Sequence, residues 1–192
     1  MEIIGKTIDD AAGEAFDKVA KMLGLGYPGG PKIQLYASKG DSKKIDFPIA
    51  QTKGKYDFSF SGLKTAVLRY LEKNYSGNEI PEKDLQDITA SFQRAAVMAL
   101  SKKTEKALKE FKVKSISLVG GVAANKALRE ELNRVSNKYH KQFMVPDLSF
   151  CGDNAAMIAY RGLKVYESGK RFTLSENAFP SLPKDSFIKV WI

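Results

Sequence analysis

The sequence predicts an α/β fold containing βαβ units. From residue 115 to residue 167 short apolar strands alternate with helices, the order that builds such units. Ahead of them, much of residues 1–114 returns apolar side chains every three to four positions, the spacing of helices with one face turned to a core. A chain of 192 residues with 43% hydrophobic content can bury such a core, and one domain spanning 1–192 is the natural expectation.

Thr7 is placed to cap a helix over 8–23, on which Ala12, Ala15, Phe16, Val19 and Leu23 share a face. Asp9 and Asp10 fall in its favourable first turn, and Asp10, Glu14 and Asp17 are expected close together on it. Gly24 and Gly26 stop the helix, and Tyr27-Pro28-Gly29-Gly30-Pro31 reads as a turn before a second helix over 32–38. Residues 46–60 read as extended, because Tyr56-Asp57-Phe58-Ser59-Phe60 alternates aromatic and polar side chains. Ser61 caps a helix to about 73, with Leu63, Ala66, Val67, Tyr70 and Leu71 inward. After a polar loop, a long helix over 84–111 buries Ile88, Phe92, Ala95, Ala96 and Ala99. A strand over 115–119 ends at Gly120-Gly121, a helix follows over 126–137, then a strand over 142–145. Cys151-Gly152-Asp153-Asn154 opens a last helix over 155–167.

Composition narrows the function. Thirty-one basic against 22 acidic residues give a net charge of +9. That suits a polyanion such as RNA, which is bound with release of counterions, although a basic surface also serves solubility. No run of about 18 apolar residues exists, so a membrane span is not expected. The opening Met1-Glu2-Ile3-Ile4-Gly5 lacks the basic and apolar regions of a secretory signal. With one cysteine, Cys151, an internal disulfide is excluded and a reducing, cytoplasmic location is favoured. His140 is the only histidine, which leaves a self-contained zinc site or a histidine triad unsupported within the chain.

Three groups of residues could carry chemistry. The strand–Gly120-Gly121–helix junction lets a ligand approach the backbone, and a helix start supplies N–H donors and partial positive charge. Asn125 adds a side-chain donor and acceptor there; paired glycines also make ordinary tight turns. Asp153 is either a helix cap or one carboxylate for a hard cation. The lysines at 102, 103, 106, 109, 112 and 114 read first as the wet face of a long helix and second as an RNA contact. Cys151 reads as a buried small residue and His140 as an exposed one near a helix end.

Several longer motifs carry a resemblance. Asp9-Asp10-Ala11-Ala12-Gly13-Glu14-Ala15-Phe16-Asp17-Lys18, then Tyr27-Pro28-Gly29-Gly30-Pro31, resemble the TsaD family, also called Gcp and formerly labelled O-sialoglycoprotein endopeptidase. Phe58-Ser59-Phe60-Ser61-Gly62-Leu63-Lys64-Thr65, Gly120-Gly121-Val122-Ala123-Ala124-Asn125 and Cys151-Gly152-Asp153-Asn154-Ala155-Ala156-Met157-Ile158-Ala159 follow in the family's order. The resemblance implies the two-lobed actin-like ATPase (ASKHA) fold, with this chain as its second lobe, a mixed sheet flanked by helices. The N-terminal lobe, with the family's paired metal histidines, would lie outside this sequence, and the chain alone is expected to be inactive.

The implied activity is transfer of threonylcarbamoyl from threonylcarbamoyl-adenylate to N6 of the adenosine adjacent to the tRNA anticodon. Carried over by motif, Asp17 and Gly30 would meet the adenylate's sugar and base region, and Asn125 with Gly120 and Gly121 the same ligand. Asp153 would be a carboxylate ligand of one divalent metal, iron or zinc. Implied partners are tRNA, other proteins of the threonylcarbamoyladenosine pathway and a possible second copy of the chain. Gln34 stands where many relatives carry an acid, and Gly152 where Thr or Ser is commoner. The alternatives are a metalloendopeptidase, the family's older label, and a non-catalytic dimerisation lobe.

Overall fold

The computed structural model describes residues 2–173. Residues Ile4–Gly152 form one compact unit, and the described residues from 153 onward belong to another, together with residues 2–3.

The first unit is built on four helices, α1 (Ala12–Met22), α2 (Gly29–Ala37), α3 (Ser61–Tyr75) and α4 (Glu82–Glu110). The apolar spacing of α1 turns Ala15, Phe16, Val19 and Ala20 inward. They meet Ile33 of α2, Val67 of α3 and Ile88 and Phe92 of α4, each with no exposed surface. Phe16 and Phe92 pack edge to face, their ring centres 5.0 Å apart. Burial of each such side chain stabilises the fold by about 1.5–3 kcal/mol. The first half of α4 serves this core. Its second half packs on α5 (Lys126–Lys138) through a smaller cluster of Val97, Leu128 and Leu132.

β1 (Ser115–Ser117), α5 and β2 (Gln142–Met144) form the expected βαβ unit, with Ser115 opposite Gln142 and Ser117 opposite Met144 in parallel register. Among the described residues the sheet is these two parallel strands, so the fold is α/β with a small parallel sheet and not the expected mixed one.

Four local expectations change. Ser61 does not cap α3 but is its first residue, and the Asp9 carboxylate accepts from Phe60 N and Ser61 N at that helix start. α1 starts at Ala12 rather than 8, because the Thr7 hydroxyl donates to the Asp10 carbonyl at 2.7 Å and folds residues 7–10 into a turn. α2 starts at Gly29 rather than 32. Pro28 precedes the helix and Pro31 falls in its first turn, where a missing N–H breaks no helical bond. Residues 46–60 make no strand. Phe58 forms a single parallel bridge with Thr7, and Thr52 Oγ donates to the carbonyls of Gly54 and Asp57. Alternation there buries Phe60 beside the core, yet no neighbouring strand exists among the described residues to receive a ladder, and Pro48 lacks a donor.

In the second unit, α6 (Ala155–Glu167) lies where expected, with Asn154 Oδ1 accepting from Met157 N at 3.1 Å. None of its residues is buried, and Met157, Ile158, Tyr160, Leu163 and Tyr166 are each more than half exposed. No described helix is long and apolar enough to cross a membrane.

Candidate ligand-binding site

A cleft of about 560 Å³ lies within the first unit, bounded by α1, α2 and the connection from β1 to α5. Phe16, Pro28, Pro31, Val122 and Leu148 give it apolar walls, while Asp17, Gln34 and Asn125 supply polar groups. Gly13, Gly30, Gly121 and Ala124 complete the lining. The starts of α2 and α5 border the cleft, and helix starts favour negative charge. Apolar walls, a few polar groups and two helix starts suit a ligand that is part apolar and part anion.

Asp17, Gly30, Gly121 and Asn125 thus come together from three stretches of the chain. Gly120 is adjacent but does not line the cleft. Its φ of 91° lies in the range glycine alone adopts freely, and it turns the chain from β1 into a 3₁₀ turn over Gly121–Ala124.

Asp17 Oδ1 accepts from Gly29 N at 2.7 Å, so a side chain of α1 caps the start of α2. This separates it from the other acids. Asp10 pairs with Lys18 at 2.7 Å and Lys64 at 2.9 Å, and Lys18 also holds Glu14 at 2.7 Å. Hydrogen bonds from Lys18 and Lys64 hold the Asp10 carboxyl below the ordinary carboxylate range. Burial alone would raise the Asp9 carboxyl, but hydrogen bonds from Ser59, Phe60 and Ser61 outweigh it and lower the value. Of the expected grouping of Asp10, Glu14 and Asp17, the first two meet at Lys18, while Asp17 turns to the cleft.

Asn125 is 9% exposed and uses both ends of its amide. Oδ1 accepts from Leu128 N at 3.0 Å, capping α5, and Nδ2 donates to Gln93 Oε1 at 2.8 Å. Gln34 Oε1 accepts from Lys126 N at 2.6 Å and so ties α2 to the first turn of α5. The sequence singled out Gln34 as the place of an acid in many relatives without assigning it to the site, and it gave no sign of Phe16 or Leu148 there. Gln34 lies four residues beyond Gly30 on one helix face, a spacing legible only once α2 begins at Gly29.

Cys151 is buried, with Arg129 Nη2 3.3 Å from its sulfur, and His140 is exposed just beyond α5, as expected of each. Asp153 is exposed and belongs to the second unit, one residue before the Asn154 cap. Among the described residues no three of His, Cys, Asp and Glu gather in a way that could hold a metal ion. These residues therefore do not fit a complete metal centre by themselves.

Comparison with known proteins decides the family. A sequence model described as "TsaD: tRNA N6-adenosine threonylcarbamoyltransferase" matches residues 1–160. The chain belongs to this family. It is 50% identical over 183 residues to the tRNA N6-adenosine threonylcarbamoyltransferase of Thermosipho africanus, covering 95% of this chain and 54% of the relative. It is 52% identical over 183 residues to that of Carboxydothermus hydrogenoformans, covering 94% and 53%, and 47% identical over 182 residues to that of Symbiobacterium thermophilum, covering 95% and 52%. The chain spans about half the length of the curated relatives it matches. All the cleft residues and Asp153 fall within the part matched to the TsaD family.

Proposed function

We propose that this chain forms one wall of the adenylate site in an enzyme that transfers threonylcarbamoyl from threonylcarbamoyl-adenylate to N6 of the adenosine adjacent to the tRNA anticodon. It would act as the second, C-terminal lobe of a two-lobed actin-like ATPase fold. The observation that carries the reading is the cleft, which gathers Asp17, Gly30, Gly121 and Asn125 from segments about a hundred residues apart. Family membership and the relatives' names support it.

Asp17 and Gly30 are assigned to the sugar and base of the adenylate, and Gly121 and Asn125 to the same ligand, with Gly120 setting the turn that presents them. In the transfer, N6 attacks the carbamoyl carbonyl carbon, the bond from that carbon to the phosphate oxygen breaks, AMP leaves, and N6 loses a proton. This chain's part is to hold the adenylate and to face the departing phosphate with the starts of α2 and α5. Asp153 is assigned as one carboxylate ligand of an iron or zinc ion whose other ligands lie outside the described residues. We place the protein in the cytoplasm, with tRNA, other proteins of the same modification pathway and a second copy of the chain as partners.

The test is steric. A Cβ built at Gly30 meets nothing within 4 Å, so Gly30→Leu fills the cleft without moving backbone. Calorimetric titration with AMP is expected to show at least a tenfold loss of affinity at unchanged circular dichroism. Unchanged AMP affinity sinks the adenylate assignment.

A further inference from the structure

We propose that the solvent-facing ridge of Lys102, Lys106 and Lys109 on α4, with the cations flanking it, is an RNA phosphate-binding surface separate from the cleft. The inference rests on the reading above only in taking tRNA as the RNA.

The three lysines stand at i, i+4 and i+7, so they form one stripe about 10 Å long. All are exposed, and none joins an ion pair among the described residues. The two neighbouring faces of α4 are occupied. On one, Ser101 Oγ donates to Glu131 at 2.7 Å and Glu105 accepts from Lys138 at 2.6 Å, fastening α4 to α5. On the other, Lys103 Nζ donates to Thr52 Oγ at 2.9 Å, and Glu110 pairs with Lys55. The ridge therefore runs between Lys55 on one flank and Arg134 and Lys138 on the other.

The charge balance favours a polyanion. The acids on this face are Glu105, Glu110 and Glu131, and each is engaged by a flanking cation: Lys138, Lys55 and Arg134 in turn. The three ridge lysines and these three flanking cations face three acids whose partners are already present, so the unmatched charge is the ridge. Complementing the helix dipole accounts for Lys109 in the last turn, but not for Lys102 two turns earlier.

Position sets the size of the ligand. Gln93 of α4 touches Asn125 of the cleft wall. At 1.5 Å per residue, Lys102 lies about 13 Å and Lys109 about 24 Å further along the helix axis. A nucleotide in the cleft cannot reach this ridge, whereas an RNA backbone extending from it can. Membrane-surface helices pair their cations with an apolar face for insertion. The α4 faces beside this ridge are instead taken up by charged contacts to the rest of the fold.

The experiment measures binding of an unmodified tRNA transcript to the full chain by fluorescence anisotropy across potassium chloride concentrations. The Lys102→Gln/Lys106→Gln/Lys109→Gln variant is compared with Lys21→Gln/Lys39→Gln/Lys73→Gln, which removes the same charge from exposed sites elsewhere on this unit. The ridge variant is expected to bind at least tenfold more weakly, with a log–log salt slope shallower by about two to three. The control is expected to stay within about threefold of the parent, and AMP affinity to be unchanged in both. Equal loss in the two variants, or an unchanged salt slope, overturns the proposal. So does loss of binding to phosphatidylserine vesicles with tRNA binding intact. If tRNA binding depends on the ridge while the chain binds no AMP, the cleft reading fails and the ridge stands. If AMP binds and tRNA does not, the ridge alone fails.

Discussion

Asp17 carries its place in the cleft as a structural residue: the carboxylate that faces the ligand space also caps α2 through Gly29 N. Asn125 is built likewise, its amide held between Leu128 N and Gln93 while it lines the same space. Such residues are legible in sequence as types, an acid on a helix and an asparagine after two glycines, but their partners are not. The acids ahead of α1 make the point in energetic terms. Asp10 is held below the ordinary carboxylate range by Lys18 and Lys64. Its ion pairs therefore contribute fully above the unfolded-state value near pH 4 and are lost as pH falls through the lower folded value. Asp10→Asn is expected to lower stability by about 1–2 kcal/mol at pH 7, a modest figure because the Lys18 side chain keeps 40% of its surface exposed. Urea melts from pH 7 to pH 2 should show the variant's deficit shrinking below pH 4; a deficit constant with pH would mean the pairs contribute nothing.

At the scale of elements, contact between α1 and α2 shapes the cleft, and it depends on a missing side chain. A Cβ at Gly29 would lie 2.6 Å from Asp17 Cα and 2.7 Å from the Phe16 carbonyl oxygen. Gly29→Ala must push the helices apart, at an expected cost of about 1–3 kcal/mol, whereas Gly30→Ala meets open space and should leave stability nearly unchanged. Denaturant midpoints for the two neighbours check this directly, and equal midpoints would contradict the close packing. The helices and both strands of the βαβ unit follow from apolar periodicity, and their ends move by a few residues where proline and side-chain caps intervene. Residues 46–60 depart further. Alternation signalled which side chains are buried, as Phe60 is, without supplying a strand to pair with.

Across the whole molecule, about half the length of the curated relatives is matched by this chain, and among the described residues no three of His, Cys, Asp and Glu gather in a way that could hold a metal ion. Titration of the chain with ferrous iron or zinc is expected to show no stoichiometric endpoint. A sharp endpoint at one equivalent, lost in Asp153→Ala, would mean that this chain supplies further ligands.

The sequence by itself determined the α/β class, the helices of the core, the family through its ordered motifs, and the residue types of the cleft. Those features are local or periodic, so neighbouring residues suffice to specify them. Only the tertiary structure decided that Asp17 faces α2 and not Asp10, that Gln34 joins the cleft, and that Lys55 and Lys138 flank one ridge of α4. These depend on contacts between residues 12 to 92 positions apart, whose pairing is set by the packing of helices and cannot be read from spacing along one of them.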